Sequence, residues 1–202
     1  MKCFIAGALT FDNQIKPDNC DLVIAADAGY NTLLKTGIKP DLIVGDFDSI
    51  KSGVPSGTNV IRHPVMKDDT DMLLAVRLGL ERGYREFHIY GGLGERLDHT
   101  LANIQVLNFI AENGGRGFLY GRDETITVIK NGEISFPARK NGFISVFAMG
   151  GDARGVNLKG LLYPLANAIL TPSYPLGVSN EFTGTEAAVS AENGTLIVIW
   201  TN

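Results

Sequence analysis

Cysteine is scarce in this chain: Cys3 and Cys20 are the only two in 202 residues. They match no zinc-ligand spacing and are too few for a disulfide framework, so two reduced thiols are expected. The three histidines, His63, His88 and His99, have no metal spacing either. Basic residues are outnumbered, 18 Lys and Arg against 22 Asp and Glu, for a net charge of −4. That balance, with no basic stripe, argues against a nucleic-acid partner. No apolar run approaches the roughly 20 residues that cross a bilayer. The run Cys3–Leu9 turns polar too soon, at Thr10-Phe11-Asp12, for a secretory leader. These absences point to a soluble, cytoplasmic protein with no membrane association. The 45% hydrophobic and 20% charged residues are ordinary for a globular chain, and the length admits one large domain or two small ones.

The chain divides by pattern. Up to about Gly121, short apolar runs alternate with helical stretches. Cys3–Leu9, Asp21–Asp27, Asp41–Phe47, Thr58–Arg62, Glu86–Gly92 and Gly117–Gly121 read as strands. Ala28–Thr36 reads as a helix closed by Gly37. Thr70–Gly83 is another, with Met72, Val76 and Leu80 four apart, Asp69 or Thr70 as its cap and Gly83 at its end. Asp98–Gly115 is a third. Near-continuous apolar strands alternating with helices predict an α/β domain with a mainly parallel sheet, covered on both faces. Beyond Gly121 the pattern becomes strands punctuated by Gly, Pro and Asn: Thr125–Phe136 as a hairpin turning at Asn131-Gly132, then Phe143–Met149, Ala168–Thr171 and Gly194–Thr201. This half reads as a small all-β sandwich or barrel. The expected domains are 1–121 and 122–202.

Three segments carry the chemistry. In Asp41–Ile50 an apolar run ends in Gly45, Asp46, Phe47, Asp48. If the strand continues, both carboxylates share one face at its carboxyl end, where open α/β sheets bind ligands. Two such charges repel unless a cation lies between them, and Mg²⁺ takes carboxylate and phosphate oxygens. A plain turn would use the same residues. Lys67–Asp71 places three more acids at a helix start, more than capping needs. Gly91–His99 follows a strand and opens a helix. Its glycines let backbone approach a phosphate, Arg96 can grip phosphate oxygens, and Asp98 adds an acid. It is neither a P-loop nor G-x-G-x-x-G; a flexible connecting loop is the bland alternative. Three such segments after three strands together favour a metal–phosphate site.

Gly45–Ser49 (GDFDS), Asp68–Asp71 (DDTD) and Gly91–His99 (GGLGERLDH), in this order, resemble thiamine pyrophosphokinases, as do Ala26–Gly29 (ADAG) and Gly177–Glu181 (GVSNE). The resemblance runs over nearly the whole chain. It implies a Rossmann-like nucleotide-binding domain joined to a thiamine-binding, dimerising β-sandwich. It also implies a homodimer that moves the terminal diphosphate of ATP onto the hydroxyl of thiamine, with Mg²⁺, leaving AMP. By the same resemblance, Asp46, Asp48 and Asp71 hold the metal and Asp98 lies near the reacting phosphates. Asp27, Thr70, Gly92, Gly94 and Arg96 bind ATP, while His99, Ser179 and Asn180 reach thiamine. The chain departs from the family in having Asp27-Ala28-Gly29 where two glycines usually follow the aspartate. Leu158–Leu165 resembles a segment near the family's dimer interface. His88 and Trp200 read as packing residues. Two other readings compete. Leu42–Ser49 also resembles the opening motif of haloacid-dehalogenase-type phosphatases, which leaves Arg96 and the β-rich half unexplained. A non-catalytic nucleotide- or thiamine-binding module would need fewer carboxylates.

Overall fold

The apolar runs of the first half become short strands whose described side chains are mostly buried, throughout in the strands at Leu22–Ala26 and Leu42–Gly45. The structure, a computed structural model, describes residues 1–11, 15–45, 59–62, 69–94 and 96–202. These fall into two compact units, Met1–Arg122 and Asp123–Asn202.

In the first unit the order is β1 (Lys2–Ala6), β2 (Leu22–Ala26), α1 (Gly29–Lys35), β3 (Leu42–Gly45), β4 (Asn59–Arg62), α2 (Asp71–Glu81), β5 (Glu86–Tyr90), α3 (Leu97–Glu112) and β6 (Arg116–Tyr120). Every strand pair is parallel, in the spatial order β4-β3-β2-β1-β5-β6. The chain therefore winds outward from β1 to β4, then returns to lay β5 and β6 on the other side of β1. On one face Phe4, Val23, Ala25 and Ile43 pack with Tyr30 and Leu33 of α1. Each buried Val, Leu, Ile or Phe side chain there contributes about 1.5–3 kcal/mol. The other face carries Cys3 and Phe87, against which α2 fits so closely that a Cβ on Gly79 would lie 2.6 Å from Phe87. The buried stripe of α2 is accordingly Met72, Ala75, Val76 and Gly79. The expected third member, Leu80, is half-buried instead.

The second unit has only strands among its described residues: β7 (Glu124–Lys130), β8 (Glu133–Phe136), β9 (Phe143–Lys159), β10 (Leu165–Leu170), β11 (Gly177–Glu181), β12 (Ala187–Ser190) and β13 (Asn193–Thr201). All their pairings are antiparallel. The long β9 joins two sheets: its first part pairs β13 and β11, its second part β10 and β12. Alternate residues such as Ile144, Val146, Val156 and Leu158 are buried. Trp200 packs edge-on to Phe136, with ring centroids 5.1 Å apart.

The expected hairpin at Asn131-Gly132 is corrected. β7 pairs β13, and β8 pairs β12 in the other sheet. The turn is present, with Asn131 at φ 47°. Two of its hydrogen bonds run to the start of β13: Asn131 N donates to the Gly194 carbonyl (3.1 Å), and Gly194 N donates to Asn131 Oδ1 (2.8 Å). It is a crossover between sheets. The sequence reading also missed β12, the strand character of β11 and the length of β9.

Candidate active site

The point where the winding reverses, between β1 and β5, is where the carboxyl ends of an open parallel sheet leave a crevice. A cavity of about 510 Å³ lies there. Its walls come from Gly7–Leu9 after β1, Ala26 and Asp27 at the end of β2, Asp69–Met72 entering α2, and Gly91, Gly92 and Gly94 after β5. Arg96, His99, Thr100, Ala102 and Asn103 complete it from the start of α3 and the residue before it.

The two loops flanking the crevice hold each other. Gly7 N donates to the Tyr90 carbonyl (2.7 Å) and Leu9 N to the Gly91 carbonyl (3.1 Å). Gly91 has φ +66°, and a Cβ there would lie 2.4 Å from the Leu9 carbonyl oxygen, so only glycine permits this approach. The glycine loop is also tied to α3. Asn103 Nδ2 donates to the Gly92 carbonyl (2.6 Å), and Thr100 Oγ1 lies within 3.4 Å of both Gly94 N and Gly94 O. Asp27 is a left-handed residue at φ 49°, a conformation aspartate tolerates better than most. Its N–H donates to the Val44 carbonyl (2.8 Å), which locks the ends of β2 and β3 together.

Three carboxylates, Asp27, Asp69 and Asp71, line this one cavity. Asp69 is ion-paired with Arg77 at 2.9 Å. Thr70 caps α2: its Oγ1 accepts from Leu73 N at 3.2 Å, which commits that hydroxyl to the helix and leaves Asp71 in the first turn. Arg96 and Asp98 form a two-point fork, Nη2 to Oδ2 at 2.6 Å and Nε to Oδ1 at 3.2 Å. The hydrogen bond from the Arg96 guanidinium holds the Asp98 carboxyl below the usual carboxylate range. Arg96 lines the cavity and Asp98 does not.

The structure thus gathers Asp27, Thr70, Asp71, Gly92, Gly94, Arg96 and His99 around one space. Asp46 and Asp48 lie outside the described residues. The chain reaches them directly from Gly45, where a Cβ would sit 3.2 Å from Asp27 Cα. Ser179 and Asn180 belong to β11 of the second unit. Ser179 has φ 56°, and its N–H donates to Ser145 Oγ (3.1 Å). Asn180 is buried. Its Oδ1 accepts from Tyr163 N and Glu181 N (both 2.9 Å), and its Nδ2 donates to the Tyr163 carbonyl (2.7 Å). Much of its hydrogen-bonding capacity is therefore spent holding backbone. Among the cavity residues that the sequence reading overlooked are Gly7 and Asn103. Gly7 is signalled only by a glycine at a strand's end. Asn103 is a polar residue in register with Val106, Leu107 and Ile110 on the buried side of α3.

Among the described residues, no three His, Cys, Asp or Glu side chains group closely enough to hold a metal. The cavity's carboxylates are nevertheless hard oxygen donors of the kind Mg²⁺ takes. None of the described helices is long and apolar enough to cross a membrane.

Comparison with known proteins gives this arrangement its context. Residues 15–116 match the family model described as thiamin pyrophosphokinase, catalytic domain, and residues 126–196 match thiamin pyrophosphokinase, vitamin B1 binding domain. A thiamine pyrophosphokinase of Bacillus subtilis is 32% identical over 188 residues, 90% of this chain and 88% of that one. The crystal structure of the Bacillus subtilis thiamine pyrophosphokinase superposes with a TM-score of 0.88 at 30% identity, covering 100% of this chain and 99% of the other. That of the Geobacillus thermodenitrificans thiamin pyrophosphokinase gives 0.86 at 25% identity, covering 100% and 98%. With both family models matched in order along one chain, and relatives aligned over nearly its whole length, this chain belongs to the thiamin pyrophosphokinase family.

Proposed function

We propose that the chain is a Mg²⁺-dependent thiamine diphosphokinase whose catalytic centre is the cavity between β1 and β5. The observation that carries this is the meeting, in one crevice of the unit matched by the catalytic family model, of a glycine loop, an arginine and several carboxylates. The loop amides and Arg96 suit an anionic triphosphate, and the carboxylates suit the cation that accompanies it. The first unit is then a Rossmann-like nucleotide-binding domain, and the second, matched by the vitamin B1 binding model, is the thiamine-binding and dimerising domain. Homodimerisation and a cytoplasmic location belong to the same reading.

In the reaction the thiamine hydroxyl oxygen bonds to the β-phosphorus of ATP. The bond from that phosphorus to the oxygen bridging it to the α-phosphorus breaks, and AMP leaves. Such transfers rest on positioning and on neutralising charge more than on covalent help. Mg²⁺, when bound, supplies positive charge at the phosphates; Asp71, with Asp46 and Asp48, would hold it. Gly92 and Gly94 let backbone approach the phosphates, and Arg96 offsets charge as it develops. Asp98 orients Arg96 through the two-point fork. Asp71 and Asp98 are the two candidates for accepting the hydroxyl proton: Asp71 lines the cavity, and Asp98 is turned into its ion pair with Arg96 and made less basic by it. His99 lies against the same space. Ser179 and Asn180 shape the thiamine site from β11.

The test is a product assay with ATP, Mg²⁺ and thiamine that resolves AMP from ADP and free phosphate. AMP and thiamine diphosphate appearing together, dependent on metal and on thiamine, support the reading. Phosphate released from simple esters without thiamine would favour the phosphatase, and unconsumed ATP the binding module.

A further inference from the structure

The buried side of α3 reads Asn103, Val106, Leu107, Ile110. Three apolar members follow helix spacing, and the fourth, nearest the cavity, is an amide only 7% exposed. Placing an amide there is unfavourable unless each of its polar groups is matched. One is. Nδ2 donates to the Gly92 carbonyl at 2.6 Å, and because a carbonyl can only accept, this bond also fixes which way round the amide sits. The oxygen end of the amide, Oδ1, is therefore left over as an acceptor, beside the second N–H of Nδ2. Among the described residues Oδ1 makes no hydrogen bond, yet no buried side-chain oxygen or nitrogen is left unmatched, so Oδ1 is open to solvent. Asn103 is one of the residues that line the cavity.

We propose that Asn103 determines substrate specificity: its Oδ1, oriented by the bond to Gly92, accepts a hydrogen bond from a hydroxyl or amino donor on the nucleoside part of the bound nucleotide. This rests on the function proposed above. Ionised phosphates offer acceptors only, so a carbonyl-type oxygen has nothing to take from them; they are suited instead to the loop amides and Arg96. The donors of a nucleotide are its ribose hydroxyls and its exocyclic amine. Thiamine brings a donor to this cavity too, its reacting hydroxyl, but in the proposed reaction that hydroxyl is matched to the carboxylate that takes its proton; the rest of thiamine is assigned to the unit matched by the vitamin B1 binding model.

The experiment compares ATP with 2′-deoxyATP, 3′-deoxyATP and purine riboside triphosphate, which lack one donor each. Both kcat/KM and Kd are measured, on the wild type, Asn103→Ser and Asn103→Ala, with folding checked by circular dichroism. In the wild type, one analogue is expected to lose on the order of 10- to 100-fold, because it leaves the acceptor unmatched. The identity of that analogue names the donor. In the variants the same analogue should fall within about 3-fold of ATP, since the group that reads it is gone. A wild type that treats all three analogues like ATP overturns the proposal whatever the variants do. So does discrimination that persists unchanged in both variants. If the protein binds nucleotide but releases no AMP, the diphosphokinase reading fails, and the Kd comparison still decides the role of Asn103.

Discussion

Asp71 sits in the first turn of α2 and on the cavity wall, so one carboxylate belongs both to a helix and to a site. The two roles differ in size. A charge at a helix start contributes about 0.3–1 kcal/mol, whereas a group that stabilises or deprotonates reacting atoms is worth on the order of 100-fold or more in rate. Asp71→Asn should therefore abolish most turnover while moving the melting temperature little; a variant with near-normal AMP release would remove Asp71 from the mechanism. The fork between Arg96 and Asp98 gives a second residue-scale expectation. Asp98 has its pKa lowered by the Arg96 hydrogen bond, so the stability it adds is present above the ordinary aspartate range and is lost as pH falls through the lowered value. Both side chains are well exposed, so the effect is small and screened by salt. Melting curves of the wild type and Asp98→Asn should differ slightly at neutral pH and low salt and converge in acid. A gap that widens on acidification would contradict the pairing. Burial out of water also suppresses deprotonation of the Cys3 thiol, its pKa pushed up to about 12, whereas Cys20 is exposed.

Elements were legible where the physics is local. β1, β2 and β3 announce themselves because their interior residues are buried on both faces, leaving apolar runs with no alternation. The cap of α2 follows from Thr70 preceding its first turn. The turn at Asn131-Gly132 was legible as a turn and misread as a hairpin, since a left-handed Asn says that the chain bends and nothing about which strand it joins next. That turn carries its own prediction. Asn131→Val should destabilise the protein by about 1–2 kcal/mol, from the left-handed backbone and the lost bond to Gly194, while Asn131→Gly should stay within about 1 kcal/mol. Chemical denaturation measures both, and equal losses would deny the backbone a part. β12, Ala187–Ser190, is too short and too mild in composition to stand out. Asn103 was hidden for a different reason: a polar residue on a helix is ordinary until the fold shows that its face is the buried one. The motif at Asp46 and Asp48 was the most conspicuous in the sequence, and it lies outside the described residues.

At the scale of the whole molecule, two units with different strand chemistry correspond to two separately matched family models. The proposed homodimer should sediment at twice the mass of the chain. A species that stays monomeric at assay concentration, with full turnover, would show that one chain suffices. The second unit also exposes several large apolar side chains, among them Tyr163, Tyr174, Leu162 and Leu176. The placement of β13 has a consequence for how the protein is made. It is the latest strand of its unit in the chain, yet it lies between β7 and β9, pairing Glu124 with Thr201 at one end and Lys130 with Thr195 at the other. The whole of the first unit is synthesised before the second, Met1–Arg122 preceding Asp123–Asn202. The second cannot close until synthesis has passed Thr201 and the strand has left the exit tunnel; until then β7 and β9 each wait with an open edge, the kind of surface chaperones bind and aggregates grow from.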